Sequence, residues 1–169
     1  MARNFRAAGA DERSVKQEDR KVGRFEDGTE QVIGALIEVH RGLGPGLLES
    51  AYEACLCIEL GLRGLRFARQ LALPVRYKGT HLDCGYRVDL VVEDRILVEL
   101  KAVERLLPIH EAQVVTYLRL AQLPVGLLAN FNVIVLKTAL RRLTPEHPNF
   151  RSSDLPVPPP LLSHEPRVR

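Results

Sequence analysis

Residues 86–103 read YRVDLVVEDRILVELKAV and contain two runs in which apolar residues alternate with other residues. This alternation predicts two half-buried strands, because neighbouring side chains of a strand point to opposite faces. Directing both apolar sets to one core fixes the register. The facing pairs are then Val88 and Leu100, Leu90 and Val98, and Val92 and Ile96. Residues 93–95 form a three-residue turn, an ordinary length for a hairpin, so the sequence predicts a central antiparallel hairpin.

The same register places Asp89 opposite Glu99 on the other face of the hairpin, with Lys101 beside Glu99. Two carboxylates facing each other across a strand pair lie about 5 Å apart and repel each other. The fold must leave them in water, protonate one of them or place a cation between them. A solvated polar face is the ordinary interpretation, but the other residues of this face are apolar, which indicates that it is partly covered. These residues are Val91, Leu97 and Val103. A covered group of Asp, Glu and Lys predicts a divalent-metal site with an attendant ammonium group.

The composition is that of an ordinary globular protein, with 46% hydrophobic and 27% charged residues in a chain of 169. This length predicts one domain with a real core, and we assign it to residues 27–143. Residues 1–26 are polar and show no period, which predicts a flexible arm, and the proline-rich residues 144–169 predict a disordered tail. The sequence contains neither a membrane-length apolar run nor a signal-peptide core, so we expect a cytoplasmic protein without membrane contact.

The formal net charge of +3 is too small to indicate nucleic-acid binding by itself. Five cations crowd one short stretch and could contact phosphates, although a solvated basic surface explains them equally well. These cations are Arg63, Arg66, Arg69, Arg76 and Lys78. The three cysteines have no metal-ligand spacing and make no even disulfide set, so we expect reduced thiols.

Two helices are predicted before the hairpin, separated by an elbow at Gly44-Pro45-Gly46. The second covers residues 47–60, and apolar residues at three- and four-residue steps predict its buried face. That predicted face consists of Leu48, Ala51, Cys55, Ile58 and Leu62. Glu49, in the first turn, either complements the helix N-terminus or reaches a metal at the sheet edge, and the pattern leaves both open. His40, in the last turn of the first helix, is expected to complement the helix dipole rather than to bind metal.

After the hairpin, Pro108 is well placed to begin a third helix, in which His110, Gln113 and Tyr117 share one face. This polar row is either a solvated surface or part of a site. Residues 125–131 form a nearly continuous apolar run, typical of a strand buried on both sides. Further strands are predicted at residues 71–77 and 133–136, and residues 137–143 either continue the second of these or form a short helix.

Four separated segments, in the same order, resemble the GxxExxY proteins. Gly46, Glu49 and Tyr52 fit the G-x-x-E-x-x-Y signature within IGALIEVHRGLGPGLLESAYEACL, and the other segments are YRVDLVVEDRILVELKAV, PIHEAQVVTYLRL and VGLLANFNV. The resemblance covers residues 31–143. It implies membership of the PD-(D/E)XK nuclease-like superfamily, and therefore an α/β restriction-endonuclease-like core with a mixed central sheet of about four strands flanked by helices.

The resemblance also implies roles for particular residues. Asp89 matches the metal-binding Asp of the superfamily, Glu99 and Lys101 match its E-x-K, and Glu49 matches the acidic residue supplied by the early helix. The motif has proline before its Asp, where this chain has Val88, a site that varies among many members.

Gln113 and Tyr117 resemble the Q-x-x-x-Y that follows the E-x-K in RecB-like nucleases. We expect them to contact the substrate backbone or to brace the catalytic residues.

The hypothesis that follows is metal-dependent hydrolysis of phosphodiester bonds in DNA or RNA. Glu49, Asp89, Glu99 and the backbone carbonyl of Leu100 would hold Mg²⁺ or Mn²⁺ through oxygen ligands. Lys101 would orient a water molecule or stabilise developing charge. Two alternatives stay open: an idle nuclease fold that binds nucleic acid or protein, and a phosphohydrolase acting on nucleotides. The oligomeric state is equally open, and a homodimer is compatible with the sequence.

Overall fold

The computed structural model describes residues 27–82 and 85–146, which form a mixed α/β domain. In chain order the elements are α1 (Thr29–Leu43), α2 (Glu49–Leu62), β1 (Phe67–Ala72), β2 (Val75–Tyr77), β3 (Thr80–Leu82), β4 (Arg87–Val92), β5 (Ile96–Lys101), α3 (Pro108–Ala121), β6 (Val125–Asn130), a 3₁₀ helix (Leu136–Ala139) and β7 (Leu140–Leu143). The predictions for residues 1–26 and for most of the tail lie outside the described residues.

The main sheet has five strands in the order β1-β4-β5-β6-β7. Strands β5 and β6 run parallel and are connected through α3, whereas the other neighbours are antiparallel. The sequence predicted about four strands, so the mixed sheet is confirmed with one strand more than expected. The central hairpin is confirmed too, because Leu90 pairs with Val98 and Val92 pairs with Ile96.

Two hydrophobic cores cover the two faces of the main sheet. Helices α1 and α2 pack on one face over Leu90, Val92 and Val98. Helix α3 packs on the other face over Val91 and Leu97, so the partly covered face predicted from these residues is observed. The two-residue period predicts Val88 on the same side as Leu90, but it is buried in the α3 core instead.

The strand predicted at residues 71–77 is divided in two, because Pro74 cannot donate a ladder hydrogen bond. Strand β1 ends at Ala72, and β2 begins at Val75 and pairs only with β3 as a separate two-stranded sheet. The prediction of a strand at residues 133–136 is wrong: this stretch leads into the 3₁₀ helix, and the fifth strand of the main sheet is β7.

Helix α2 buries a different face from the predicted one. Tyr52, Leu56 and Leu60, at four-residue steps, are fully buried, whereas Leu48 and Leu62 are each 78% exposed. Both stripes are apolar, and the one that contains Tyr52 faces the sheet because its ring stacks on Phe131, 79 positions further along the chain. The first residue of that same side of α2 is Glu49.

The N-terminus of α1 is tied to the last strand of the sheet. Asp27 Oδ1 accepts hydrogen bonds from the backbone N–H and the hydroxyl of Thr29, and Asp27 Oδ2 pairs with Arg142 of β7. Burial alone would raise the pKa of Asp27, but these partners outweigh it and hold the pKa at about 2. Within residues 27–82 and 85–146, no helix has the length and hydrophobicity that crossing a bilayer requires.

Candidate functional site

Three acidic side chains and one lysine meet where β5 ends. Strand β5 contributes Glu99 and Lys101, whose Nζ donates a 2.7 Å hydrogen bond to Glu99 Oε1. Strand β4 contributes Asp89, and Glu49 is the first residue of α2. After burial, which is the largest cause, the charges of Asp89 and Glu49 raise the pKa of Glu99. The fold therefore brings these four predicted residues into one electrostatic cluster, which we call the acidic cluster.

Backbone N–H groups at the end of β5 hold two of the carboxylates. The N–H of Leu100 donates to Asp89 Oδ2 at 2.8 Å, and the N–H of Ala102 donates to Glu49 Oε1 at 2.9 Å. The first of these bonds uses a side chain in place of the β4 backbone, because the ladder between β4 and β5 runs only as far as the pair of Leu90 and Val98.

The predicted ladder pairs of Val88 with Leu100 and of Asp89 with Glu99 are therefore not formed. The two strands separate at the acidic cluster. This separation frees the Asp89 carboxylate to reach the Leu100 N–H and accompanies the turn of Val88 into the α3 core.

The electrostatics of the cluster oppose full ionisation. Burial, with the charge of Asp89, raises the pKa of Glu99 to about 7 although Lys101 opposes the rise. Burial also raises the pKa of Asp89, against the hydrogen bond from Leu100. Burial alone would lower the pKa of Lys101, but its bond to Glu99 and the surrounding negative charge raise it. The lysine therefore stays cationic at neutral pH, while Glu99 is divided between its two protonation states.

One carboxylate oxygen of the cluster is unsatisfied. Glu99 Oε2 is fully buried and has no hydrogen-bond partner among the described residues. A buried acceptor without a partner costs about 1–3 kcal/mol, and more when it is charged. A cation beside this oxygen would remove the penalty, and the three carboxylates of the cluster are the hard oxygen ligands that Mg²⁺ and Mn²⁺ prefer. The residues present therefore fit a divalent metal ion.

No three His, Cys, Asp or Glu side chains are arranged to hold a metal ion in the part of the chain that the structure describes. Each carboxylate of the acidic cluster is occupied by a donor of the protein itself, Asp89 and Glu49 by backbone N–H groups and Glu99 by Lys101. Metal binding would exchange some of these donors for the ion.

The three residues of the predicted polar row on α3 have different surroundings. Gln113 Nε2 donates to the hydroxyl of Tyr117 at 2.8 Å, and Tyr117 is buried in the α3 core with its ring 6.2 Å from that of Tyr86. His110 instead accepts the N–H of Leu107 at the start of α3. Solvation of the whole row, the simpler interpretation, is excluded because Tyr117 is buried.

Three of the five cations in the crowded stretch, which we call the basic cluster, and His40 have structural partners. Arg63, Arg66 and Arg69 form ion pairs with Glu59, Glu93 and Glu53. His40 Nε2 lies 2.8 Å from the backbone oxygen of Val133, and its ring contacts Phe131.

The site geometry agrees with the comparison to known families. A family model described as the PD-(D/E)XK nuclease superfamily matches residues 26–143. The chain belongs to this superfamily. No curated protein and no solved structure gives a significant match.

PD-(D/E)XK nucleases typically use divalent metals such as Mg²⁺ and act on nucleic acid. The five-stranded mixed sheet with flanking helices agrees with a PD-(D/E)XK core. The superfamily is named after its sequence motif. Our prediction is that Asp89 corresponds to the D of this motif, and Glu99 and Lys101 to its (D/E)XK. Their convergence at one edge of the sheet supports that assignment.

This PD-(D/E)XK domain carries a further acidic residue that the sequence patterns missed. Glu53 follows Glu49 by one helical turn, is buried, and accepts hydrogen bonds from Arg69 and from Gln70, each at 2.9 Å. Its charge is among the causes that raise the pKa of Asp89, after burial. The four-residue spacing from Glu49 was the available signal, but the wrong buried face hid it.

Tyr52 fixes the elbow from which Glu49 emerges. Its hydroxyl donates to the carbonyl of Gly44 at 2.8 Å and accepts the N–H of Leu47 at 3.0 Å, so both sides of the elbow are pinned. Its ring stacks on that of Phe131 with 4.3 Å between the centroids.

Phe131 connects this elbow to the end of β5. Its backbone N–H donates a 2.7 Å hydrogen bond to the carbonyl of Lys101. The side chain of Phe131 thus holds Tyr52 while its backbone holds the strand that carries Glu99. Tyr52 and the elbow thus hold the start of α2, the helix whose first residue is Glu49.

Proposed function

We propose that this PD-(D/E)XK protein is a metal-dependent nuclease that hydrolyses phosphodiester bonds in DNA or RNA. Glu49, Asp89, Glu99 and the backbone carbonyl of Leu100 would hold Mg²⁺ or Mn²⁺. The observation that carries the proposal is the buried, unpartnered Glu99 Oε2 inside a cluster of three carboxylates. A cation is the simplest partner for that oxygen, because every neighbouring acid makes its isolation more unfavourable.

The bound ion would supply Lewis acidity toward the phosphoryl group and lower the pKa of a coordinated water. Lys101 contributes a fixed ammonium group beside Glu99, and it would orient the attacking water or stabilise charge that develops on the phosphorane. The Gln113 amide, already bonded to the Tyr117 hydroxyl, would brace the site from α3 or contact the substrate backbone.

The acidic cluster also weighs against an idle nuclease fold. A buried Glu99 whose pKa is raised to about 7 makes the folded state less stable at neutral pH. Replacement by a neutral residue would remove that penalty in a protein that did not use the charge.

The test is a cleavage assay on single- and double-stranded DNA and RNA in Mg²⁺, in Mn²⁺ and in EDTA. We expect wild type to cleave only with metal, and Glu99→Gln and Lys101→Ala each to lose about a hundredfold or more in rate. Glu104→Gln, an exposed carboxylate three positions after Lys101, is the matched control and should cleave like wild type. Cleavage that survives in both site variants would overturn the assignment of these residues.

Calorimetry tests the metal site independently of substrate choice. Mn²⁺ should bind wild type and should bind Glu99→Gln more weakly. Wild type that takes up no Mn²⁺ at millimolar concentration would favour the idle fold.

A further inference from the structure

The hairpin formed by β2 and β3 stands apart from the main sheet. Its strands pair only with each other, through Val75 with Leu82, Arg76 with His81 and Tyr77 with Thr80. Every residue of β3 is exposed. A two-stranded hairpin without a sheet beneath it is of marginal stability in water, so an interaction outside the hairpin would explain why the fold carries it.

The hairpin starts at the same edge of the sheet as the acidic cluster. It is inserted between the end of β1 and the start of β4, where the N–H of Leu73 donates to the carbonyl of Tyr86 at 2.8 Å. Asp89 lies three residues further along β4, and a strand rises about 3.3 Å per residue. The base of the hairpin is therefore about 10 Å from the acidic cluster, and the two β-strands extend away from that point.

The cations of the hairpin differ from the rest of the basic cluster. Arg76 and Lys78 form no ion pair with any described carboxylate, whereas Arg63, Arg66 and Arg69 are all paired. No acidic residue lies between positions 75 and 82, and the nearest one that follows, Asp83, is outside the described residues. The hairpin thus presents positive charge beside a negatively charged site.

The turn of the hairpin has a lysine at a position where the backbone conformation is unfavourable for it. Lys78 and Gly79 form the two-residue connection with φ of 48° and 83°. Such turns favour Asn, Asp or Gly at the first position, because a larger side chain is strained in the left-handed region. Lys78 at this position places an ammonium group at the tip of the hairpin.

Two aromatic rings accompany these cations. Tyr77 is 62% exposed, with the Lys78 ammonium 5.4 Å from its ring centroid, and Tyr86 at the base is 48% exposed. Exposed aromatic rings interleaved with cations are the chemistry by which proteins bind single-stranded nucleic acid, since the rings stack on bases and the cations contact phosphates. Duplex binding needs the cations alone, because paired bases are already stacked on each other.

We propose that the β2–β3 hairpin, with Tyr86 at its base, is an arm that binds single-stranded nucleic acid next to the bond entering the acidic cluster. Arg76 and Lys78 contact phosphates, and Tyr77 stacks on an unpaired base. That the ligand is a nucleic acid rests on the proposed nuclease function. The inference adds to that function that the substrate is single-stranded. Because DNA and RNA share this chemistry, the experiment includes both.

The test measures binding in EDTA, so that it does not depend on cleavage. Fluorescence anisotropy of the full chain is recorded with labelled oligo-dT and oligo-rU of about 16 nucleotides, and with a duplex of equal length. We expect Tyr77→Ala to raise the Kd for single strands between about fivefold and a hundredfold, and Tyr77→Phe, which keeps the ring, to bind like wild type. A loss with oligo-dT, with oligo-rU or with both supports the arm, and the polymer that shows it identifies the sugar that the arm accepts.

A charge variant tests the same arm by a different readout. Lys78→Asn removes the ammonium and suits the left-handed turn, so the hairpin should keep its shape. We expect it to reduce the slope of log K against log salt by about 0.7, the value for one lost phosphate contact on a single strand. Lys137→Gln, an exposed cation of the 3₁₀ helix, is the matched control and should leave the slope unchanged.

The outcomes separate the arm from the nuclease assignment. Single-strand binding that is unaffected by Tyr77→Ala and Lys78→Asn overturns the arm, and so does a Tyr77→Ala loss of equal size on the duplex, because paired bases offer the ring nothing to stack on. Wild type that binds through the arm but never cleaves with metal refutes the nuclease and leaves the arm standing. Bis(4-nitrophenyl) phosphate is too small to reach the hairpin, so a metal-dependent wild-type activity on it should be unchanged in Tyr77→Ala, and a loss there would point to damage at the site instead of a lost contact.

Discussion

Replacing Glu99 by glutamine is expected to stabilise the metal-free protein at alkaline pH. Burial and the charge of Asp89 raise the pKa of Glu99 from 4.5 to about 7, and a rise of this size corresponds to about 3 kcal/mol of penalty on the ionised form. Glutamine has nearly the same shape and keeps an oxygen that can accept the hydrogen bond of Lys101. The variant should therefore unfold with a free energy up to about 3 kcal/mol higher than that of wild type.

The sign of this effect depends on pH in a defined way. Below pH 4.5, Glu99 is protonated in both the folded and the unfolded chain, so wild type and Glu99→Gln should be about equally stable. As the pH rises from 4.5 to about 7, the unfolded chain loses its proton first and wild type loses stability relative to the variant. Above about pH 7 the difference should reach its full size and stay constant.

Urea unfolding in EDTA at acidic and at alkaline pH measures this difference, with Glu104→Gln as a control that should match wild type at both. Added Mn²⁺ should then stabilise wild type more than Glu99→Gln, because a ligand stabilises the state that binds it. The difference in free energy of unfolding between the two proteins should therefore shrink or change sign. A Glu99→Gln protein that is no more stable than wild type at alkaline pH in EDTA would refute the reasoning, since Glu99 would then carry no uncompensated charge.

Three further variants test other parts of the structure. Tyr52→Phe, which removes the hydroxyl that pins the elbow, should lower the free energy of unfolding by about 1–3 kcal/mol and weaken Mn²⁺ binding in calorimetry; unchanged Mn²⁺ affinity would contradict its positioning role. Gly126→Ala should lower the free energy of unfolding in urea by about 1–3 kcal/mol, because the added Cβ would lie 2.8 Å from the β-branched side chain of Val114 in α3. The control Gly42→Ala, with no atom within 4 Å of its added Cβ, should leave that free energy unchanged. Asp27→Asn should lower the free energy of unfolding by about 1 kcal/mol at neutral pH. This difference from wild type should vanish as the pH falls from about 4 to about 2, because only the ionised carboxylate keeps the pair with Arg142. A difference that stays constant across that pH range would exclude the charge of Asp27 as its cause.

Local periodicity predicted the centre of the domain well. The alternation in residues 86–103 determined the pairing of Leu90 with Val98, and the same two-residue period placed Glu99 and Lys101 on one face. Pro108 marked the start of α3 at the residue where it begins. These features depend on interactions within a few positions of the chain, which is why a single sequence contains them.

Features decided by distant contacts could not be predicted in this way. Helix α2 has two apolar stripes, and the choice between them depends on Phe131, which directly follows β6. The ion pairs of the basic cluster show the same limit. Arg63, directly after α2, pairs with Glu59 four positions earlier, whereas Arg66 pairs with a glutamate 27 positions away.

The end of β5 explains how the protein can fold with a group of mutually repelling carboxylates and no metal ion. The N–H groups of Leu100 and Ala102, on either side of Lys101, each bind one carboxylate, and the ammonium group of Lys101 binds a third. One short segment therefore supplies a separate donor to each acid and holds the acids near one another. Among the buried side-chain oxygens of the described residues, these donors leave Glu99 Oε2 without a hydrogen-bond partner. A metal ion that entered there would find three carboxylates near one another but not yet arranged around a metal position, and binding it would exchange their present donors for the ion.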